Sequence, residues 1–405
     1  MYAFLICLYI FILPLAPSGF KIGKIPVNGN SFIVLIILCY IIKLIINKDS
    51  RVRFKKGINN FFKDKFSIFS LMWITIMFIS IVYSKDKNLA LGESIRFSSY
   101  ILIYFIIKYE IYKEKSLNMI LNSITCTLLI IDIIGILEYI KGVGTIQNDV
   151  SGTFIRISST LENSNNLGAL CVLLIFPYIM LSIKEKNNKK RVLYSIISLL
   201  TFANIILSFS RNAWIGLSLG LLILVVIYNI KFIWTLGLGA SLLLLLPNIR
   251  NRIKDITNVT QNSSRIGLWR VGLLMIKDHP ILGIGAGNYR VHYSSYSQRI
   301  NSYGYGPHDK FHPHNVYIKS QCELGIVGLI SVILYLVFAL KTIVRFSKTV
   351  ENQYYKWFSF GFIASLVSFM IMNFMDNFFS APKVFSFFWI IMAVFSCYEY
   401  NKKIV

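Results

Sequence analysis

The residues of this chain that can do chemistry gather in four segments. They are Ser210-Arg211-Asn212-Ala213-Trp214, Ser264-Arg265-Ile266-Gly267-Leu268-Trp269, His279-Pro280-Ile281-Leu282-Gly283-Ile284-Gly285-Ala286-Gly287-Asn288 and His312-Pro313-His314-Asn315-Val316-Tyr317, the last followed by Glu323-Leu324-Gly325. Arginine holds anions through a fixed fork of donors. Histidine takes and returns protons near neutral pH. Each segment also has an ordinary structural reading. Arg211 can snorkel to a membrane interface, Arg265 can cap or pair on a surface helix, and His314 can be a plain loop histidine. The glycines of Gly283–Gly287 follow no strand and sit in no βαβ unit, so a turn that allows close packing suits them better than a dinucleotide loop. His308, Asp309, His312 and His314 suggest a metal site, but only His308 and His312 have helical ligand spacing. That reading is the weaker one.

Further polar residues lie outside these segments. Glu93 and Arg96 are three apart and are expected to pair. Asp132 falls deep in an apolar run, where it either serves function or bonds a neighbouring helix. Residues 156–166 begin with Arg156 and end in Ser164-Asn165-Asn166, which can bind hydroxyls or cap a helix. Asp376 is placed to pair with an arginine or to orient a histidine.

The elements that must position these residues are membrane helices. The chain has 405 residues, 55% hydrophobic and 15% charged, with mean hydropathy +0.62. Soluble domains carry about 25% charged residues. Apolar blocks of membrane-spanning length recur, as in 31–46, 66–82, 192–207 and 325–340. A soluble enzyme, a disulfide scaffold and a disordered chain are excluded. Cys7, Cys39, Cys126, Cys171, Cys322 and Cys397 form no Cys-x-x-Cys pair and read as small buried hydrophobes. Met1–Ala16 lacks a basic leader region and reads as a first span.

Twelve spans can be drawn, near 1–16, 30–46, 66–83, 90–108, 117–140, 167–183, 192–209, 212–229, 231–247, 324–345, 356–375 and 382–398. The expected fold is thus all-α and polytopic, with about 12 transmembrane helices and a long helical external loop between spans 9 and 10. Apart from that loop, the segments on one side carry 22 basic residues and those on the other 8. The positive-inside rule puts the first set, and both termini, in the cytoplasm. The formal charge of +24 is then a topology signal plus attraction to anionic membrane lipids. Nucleic acid is a poor partner for basic residues spread over six short segments. The loop 248–323 holds every histidine and a net +6 on the outer side, which points to a ligand. Within it, Ile266–Lys277 reads as an amphipathic helix with Ile266, Trp269, Leu273 and Ile276 on its apolar face.

The ordered motifs in the region from Arg156 to Asn166, Ser-Arg-x-Ala-Trp at Ser210, Arg-x-x-x-Trp at Arg265, His-Pro-x-x-Gly-x-Gly at His279 and His-Asn-x-Tyr at His314, with Glu323-Leu324-Gly325, resemble the O-antigen ligase / O-antigen polymerase superfamily. The motifs cover about 150–345 and the span layout covers the chain. Ser164-Asn165-Asn166 departs from the family's usual Asn-Pro-Asn. The resemblance implies N-terminal transmembrane helices (1–150), a ligase-like catalytic region (151–345) and C-terminal transmembrane helices (346–405). It implies a bacterial cytoplasmic-membrane glycosyltransferase, multi-pass, with its active site on the outer face. The donor would be a glycan on polyprenyl pyrophosphate, and the acceptor a hydroxyl of a glycan, lipid or other surface molecule. Arg211 and Arg265 would hold the pyrophosphate and His314 would act as general base. Arg156, Asn166, Trp269, Asn315, Glu323 and Asp376 would support them or the acceptor. No cofactor, nucleotide or metal would be needed. Abundant Lys, Ile and Asn suit an AT-rich genome, and favour polymerisation or surface attachment over ligation to a lipid A core. The alternatives are a flippase or exporter of lipid-linked oligosaccharide and a non-catalytic assembly protein.

Overall fold

The computed structural model describes residues 2–16, 21–22, 25–26, 29–149, 152–228, 250, 259–300 and 312–404. In chain order these form α1 (Tyr2–Leu15), β1 (Lys21–Ile22), β2 (Ile25–Pro26), α2 (Gly29–Ile46), α3 (Lys48–Phe61), α4 (Lys65–Ser80), α5 (Lys87–Glu110) and α6 (Glu114–Ile140). Then come β3 (Thr145–Asp149), β4 (Gly152–Arg156), α7 (Ser164–Lys184), α8 (Asn188–Leu207) and α9 (Arg211–Ile227). The chain ends with α10 (Val259–Asp278), α11 (Tyr289–Arg299), α12 (Val316–Thr349), α13 (Gln353–Met372), a 3₁₀ turn (Phe378–Ser380) and α14 (Pro382–Ile404).

The protein is mostly helical, and 7 of these helices (α5, α6, α7, α8, α12, α13 and α14) are long and apolar enough to cross a membrane. Helices α1, α4 and α9 are apolar but shorter, and α2 with α3 forms a pair bent by 112°. The predicted spans other than the ninth all coincide with helices. The ninth, 231–247, lies outside the described residues. Two details differ from the sequence reading. Part of the basic loop after the second span is helix α3, held by Glu110, which accepts from Ser50 Oγ at 2.9 Å and Arg53 at 2.8 Å. Two antiparallel hairpins, β1–β2 and β3–β4, also interrupt the helices. The second pairs Thr145 with Arg156, so the end of β4 fixes Arg156.

Helix α14 lies at the centre, with α5, α7 and α12 around it. Trp389 stacks on Tyr335 at 6.0 Å, and Tyr335 on Trp73 at 5.7 Å. Aromatic packing of this kind joins helices where lipid is as apolar as the side chains, so that burial alone gives no preference for protein over lipid. Three ionisable groups set among the spans are paired. Asp132 accepts from Thr201 Oγ1 at 2.5 Å, and its carbonyl accepts from Asn204 at 3.0 Å, so this carboxyl ties α6 to α8. Glu93 and Arg96 pair within α5 at 2.5 Å, and Lys319 of α12 lies 3.8 Å from Glu93.

Candidate active site

Helix α9 begins with a sharp reversal. Phe209 takes a left-handed conformation, φ +47°, and Ser210 then caps the helix by accepting from Ala213 N at 3.4 Å. The rest of the motif is anchoring. Asn212 donates to the Met372 carbonyl at 2.9 Å and Trp214 to that of Ile205 at 3.0 Å. Arg211, the first residue of α9, reaches a cleft of about 220 Å³ lined also by Arg265, Trp269, Ile215, Ile266 and Met375. Two buried polar atoms beside it, Trp269 Nε1 and Asn212 Oδ1, have no hydrogen-bond partner among the described residues. Buried groups of this kind ordinarily find partners.

Helix α10 presents Arg265 and Trp269 because its opposite side is fixed. Leu268, Val271 and Met275 pack with Tyr289, Tyr293 and Tyr296 of α11 and with Cys322. The Tyr289 hydroxyl donates to the Leu268 carbonyl at 2.7 Å. Of the predicted apolar face, Ile276 packs against this cluster. Ile266 and Trp269 line the cleft, and Leu273 is exposed.

The glycine segment is a structural splice. Gly283, Gly285 and Gly287 all have positive φ. Ile284 N donates to the Cys322 carbonyl at 3.0 Å and Gly285 N to that of Glu323 at 2.8 Å. Gly325, φ +67° and ψ −169°, breaks α12 against this strip. A side chain at Gly325 would collide with the Ile281 carbonyl. Glu323 accepts from Gly287 N at 2.9 Å and contributes to this splice, not to the cleft. Asn315 likewise caps α12, accepting from Tyr317 N at 2.9 Å and Ile318 N at 3.0 Å.

His314 precedes that cap and is itself left-handed, φ +44°, a conformation that costs a non-glycine residue roughly 1–2 kcal/mol. Its Nδ1 lies 2.8 Å from Asp376 Oδ1. Asp376 is buried at 7% exposure and gathers further donors. Asn377 N donates to Oδ1 at 2.9 Å and Asn165 Nδ2 to Oδ2 at 3.3 Å, while the Arg265 guanidinium lies 3.7 Å from Oδ2. Burial pushes this carboxyl up, but the His314 hydrogen bond and the charges of His314 and Arg265 hold it below the usual carboxylate range. An ionised carboxylate only accepts, so His314 Nδ1 carries a proton, and whenever the ring is neutral the lone pair is on Nε2.

Two neighbours of this group were not singled out as site residues by sequence. Asn165 joins Asp376 and accepts from Arg156 at 3.0 Å, whereas Asn166 turns away to Glu162 at 3.1 Å. Arg156 also donates to the Ser208 carbonyl at 3.0 Å, close to the start of α9. His312 lies against His314, ring centres 4.4 Å apart, and its Nδ1 accepts from His314 N at 3.3 Å. Burial, then the neighbouring His314, push the His312 imidazole down to about 3. His308 and Asp309 of the metal reading lie outside the described residues, and no cluster of three metal-ligating side chains occurs among the described ones.

Residues 196–333 match the family described as O-antigen ligase. That segment contains Arg211, Arg265 and His314, while Asp376 comes from beyond it. A Rickettsia conorii protein named as a candidate polysaccharide ligase is 28% identical over 243 residues, covering 56% of this chain. The match spans 58% of that relative's length. Together with the motifs and the membrane helices, these matches support the O-antigen ligase superfamily, with the family model itself covering about a third of the chain.

Proposed function

We propose that the chain transfers a glycan from a polyprenyl-pyrophosphate carrier to an acceptor hydroxyl on the outer face of a bacterial cytoplasmic membrane. One observation carries this reading. A single carboxylate, Asp376, contacts both the candidate base His314 at 2.8 Å and the candidate clamp Arg265 at 3.7 Å, beside the cleft that Arg211 shares. His314 Nε2 takes the proton as the acceptor oxygen bonds to the anomeric carbon. The bond from that carbon to the pyrophosphate breaks, with inversion, and the electron pair leaves on the phosphate oxygen. Arg211 and Arg265 stabilise that charge. Asp376 stabilises the imidazolium. Ile215, Ile266 and Met375 give the cleft an apolar wall suited to the first isoprene units. Trp269 and Arg156 support the ligand and the Asp376 cluster. The reaction draws its driving force from the activated lipid, with arginines in the place of a metal ion.

The test is purified protein with a defined lipid-linked donor and acceptor. Release of polyprenyl pyrophosphate without a second protein supports the enzyme. No release, with donor moved across vesicles, supports a flippase. Neither supports an assembly protein. Sidedness is tested by single cysteines, with Ser295→Cys expected to react with an impermeant thiol reagent in intact cells and Asn187→Cys expected not to.

A further inference from the structure

A second concavity lies away from His314. It is a pocket of about 460 Å³ at the other end of α12, ringed by Lys63, Lys65, Lys108, Lys341, Arg345 and Lys403. Beyond the break at Gly325, α12 runs about 20 Å to Phe338, about two thirds of the thickness of the hydrocarbon core. The charge pattern assigns this end to the cytoplasmic leaflet.

The pocket's own carboxylates do not neutralise it. Asp64 is taken by Lys108 at 2.7 Å, with Ser67 and Tyr104 also donating to it. Glu399 is taken by Arg345 and by Lys403, each at 3.0 Å. Lys63, Lys65 and Lys341 have no carboxylate partner among the described residues. Lys65 and Lys341 converge on one ring, lying 5.5 and 5.1 Å from the Phe338 centroid. The ring face attracts each ammonium, and two like charges gathered on one ring favour an anion between them. Ser396 adds a buried hydroxyl to the wall of this pocket.

An apolar groove of about 290 Å³ starts beside it. Phe62, Ile68, Met72 and Ile76 form one side and Val327 of α12 the other. Phe62 adjoins Lys63 in sequence, and the residues of α4 recur every four positions along one helix face. From Lys65 to Ile76 the groove climbs about 16 Å, close to half of a hydrocarbon core of about 30 Å. A charged mouth at interface depth beside an apolar groove of one leaflet's depth matches the charge and length of one lipid molecule.

We propose that this is a binding site for an anionic phospholipid, with its phosphate between Lys65 and Lys341 and an acyl chain in the α4–α12 groove. The experiment is native mass spectrometry of the full chain in detergent, titrated with phosphatidylglycerol or phosphatidylcholine. Phosphatidylglycerol is expected to bind at least about tenfold more tightly, since each basic residue near an anionic lipid adds about a further fivefold. Lys65→Gln with Lys341→Gln should remove the preference, and Met72→Trp should weaken phosphatidylglycerol by filling the groove. If the double variant fails to elute as a single species, the wild type is titrated at low and high salt, where binding must weaken. Equal affinity for the two lipids overturns the proposal, as does a preference that survives the double variant or high salt. Competition by inorganic phosphate, together with indifference to Met72→Trp, would identify a soluble anion as the ligand and also overturn it.

Discussion

His314 Nδ1 and Asp376 Oδ1 are 2.8 Å apart although 62 residues separate them in sequence. The contact fixes which imidazole nitrogen is basic. Asp376→Asn removes the obligatory acceptor and lets the ring turn its proton to Nε2. Transfer by Asp376→Asn and by His314→Ala is expected to fall about 10²–10⁴-fold, with donor affinity kept within a few fold. Initial rates with purified variants check this. Near-normal transfer by Asp376→Asn would end the orienting role, and loss of turnover on chelation, restored by zinc, would favour a metal site.

The two arginines predict a split between charge and geometry. Arg211→Lys and Arg265→Lys keep the charge but lose the fork of donors, so both should be slowed at least about tenfold. Arg265→Lys should suffer more, because Arg265 also lies 3.7 Å from Asp376. Donor-binding titrations beside rate measurements separate the effects. If lysine serves equally at both positions, Arg211 is a membrane anchor and the phosphate lies elsewhere.

Adjacent asparagines give a sharp contrast. Asn165 links Arg156 to Asp376, while Asn166 bonds Glu162. Asn165→Ala should lower transfer roughly tenfold, and Asn166→Ala should leave it nearly unchanged. A reversed order would mean that the Asp376 cluster does not govern the rate.

His312 predicts a pH dependence of stability. Its imidazole is pushed down to about 3, against about 6.5 when unfolded. Between these values the unfolded chain binds the extra proton, so stability falls as pH drops from about 6.5, by at most about 1.4 kcal/mol per pH unit. Asp376, also depressed, adds its loss only below about 3.9. His292, lowered by burial and by Lys85 and His279, acts in the same sense as His312. The measurement is therefore a difference, with melting temperature from pH 4 to 7 flatter in His312→Gln than in the wild type. Parallel curves would show that His312 does not stay neutral on acidification.

Much of this architecture is legible in sequence because span length and apolarity are local properties. Arg211, Arg265, His314 and Asp376 could be singled out for a related reason, since charged and titratable groups at the edges of apolar runs need an explanation. What was not legible depends on rotation and on partners. Asn165, not Asn166, meets Asp376 because the cap of α7 sets which side chain turns inward. The packed face of α10 is chosen by Tyr289 and its neighbours, not by the helix's own periodicity. Glu323 and Asn315 look chemical in a motif, yet one binds backbone amides of the glycine strip and the other caps α12. The basic pocket was visible only as scattered lysines until α4, α12 and α14 brought them together.

The long reach from His314 to Asp376 also sets an order in time. Synthesis runs at about 5–20 residues per second, so the carboxylate emerges roughly 3–12 s after the histidine. Until then the arginines of α9 and α10 exist without an oriented base. On the proposed roles, a nascent chain halted before α13 would thus hold the clamp without the means to use it. The oriented base forms, on those same roles, only once the α13–α14 hairpin has followed α9 and α10.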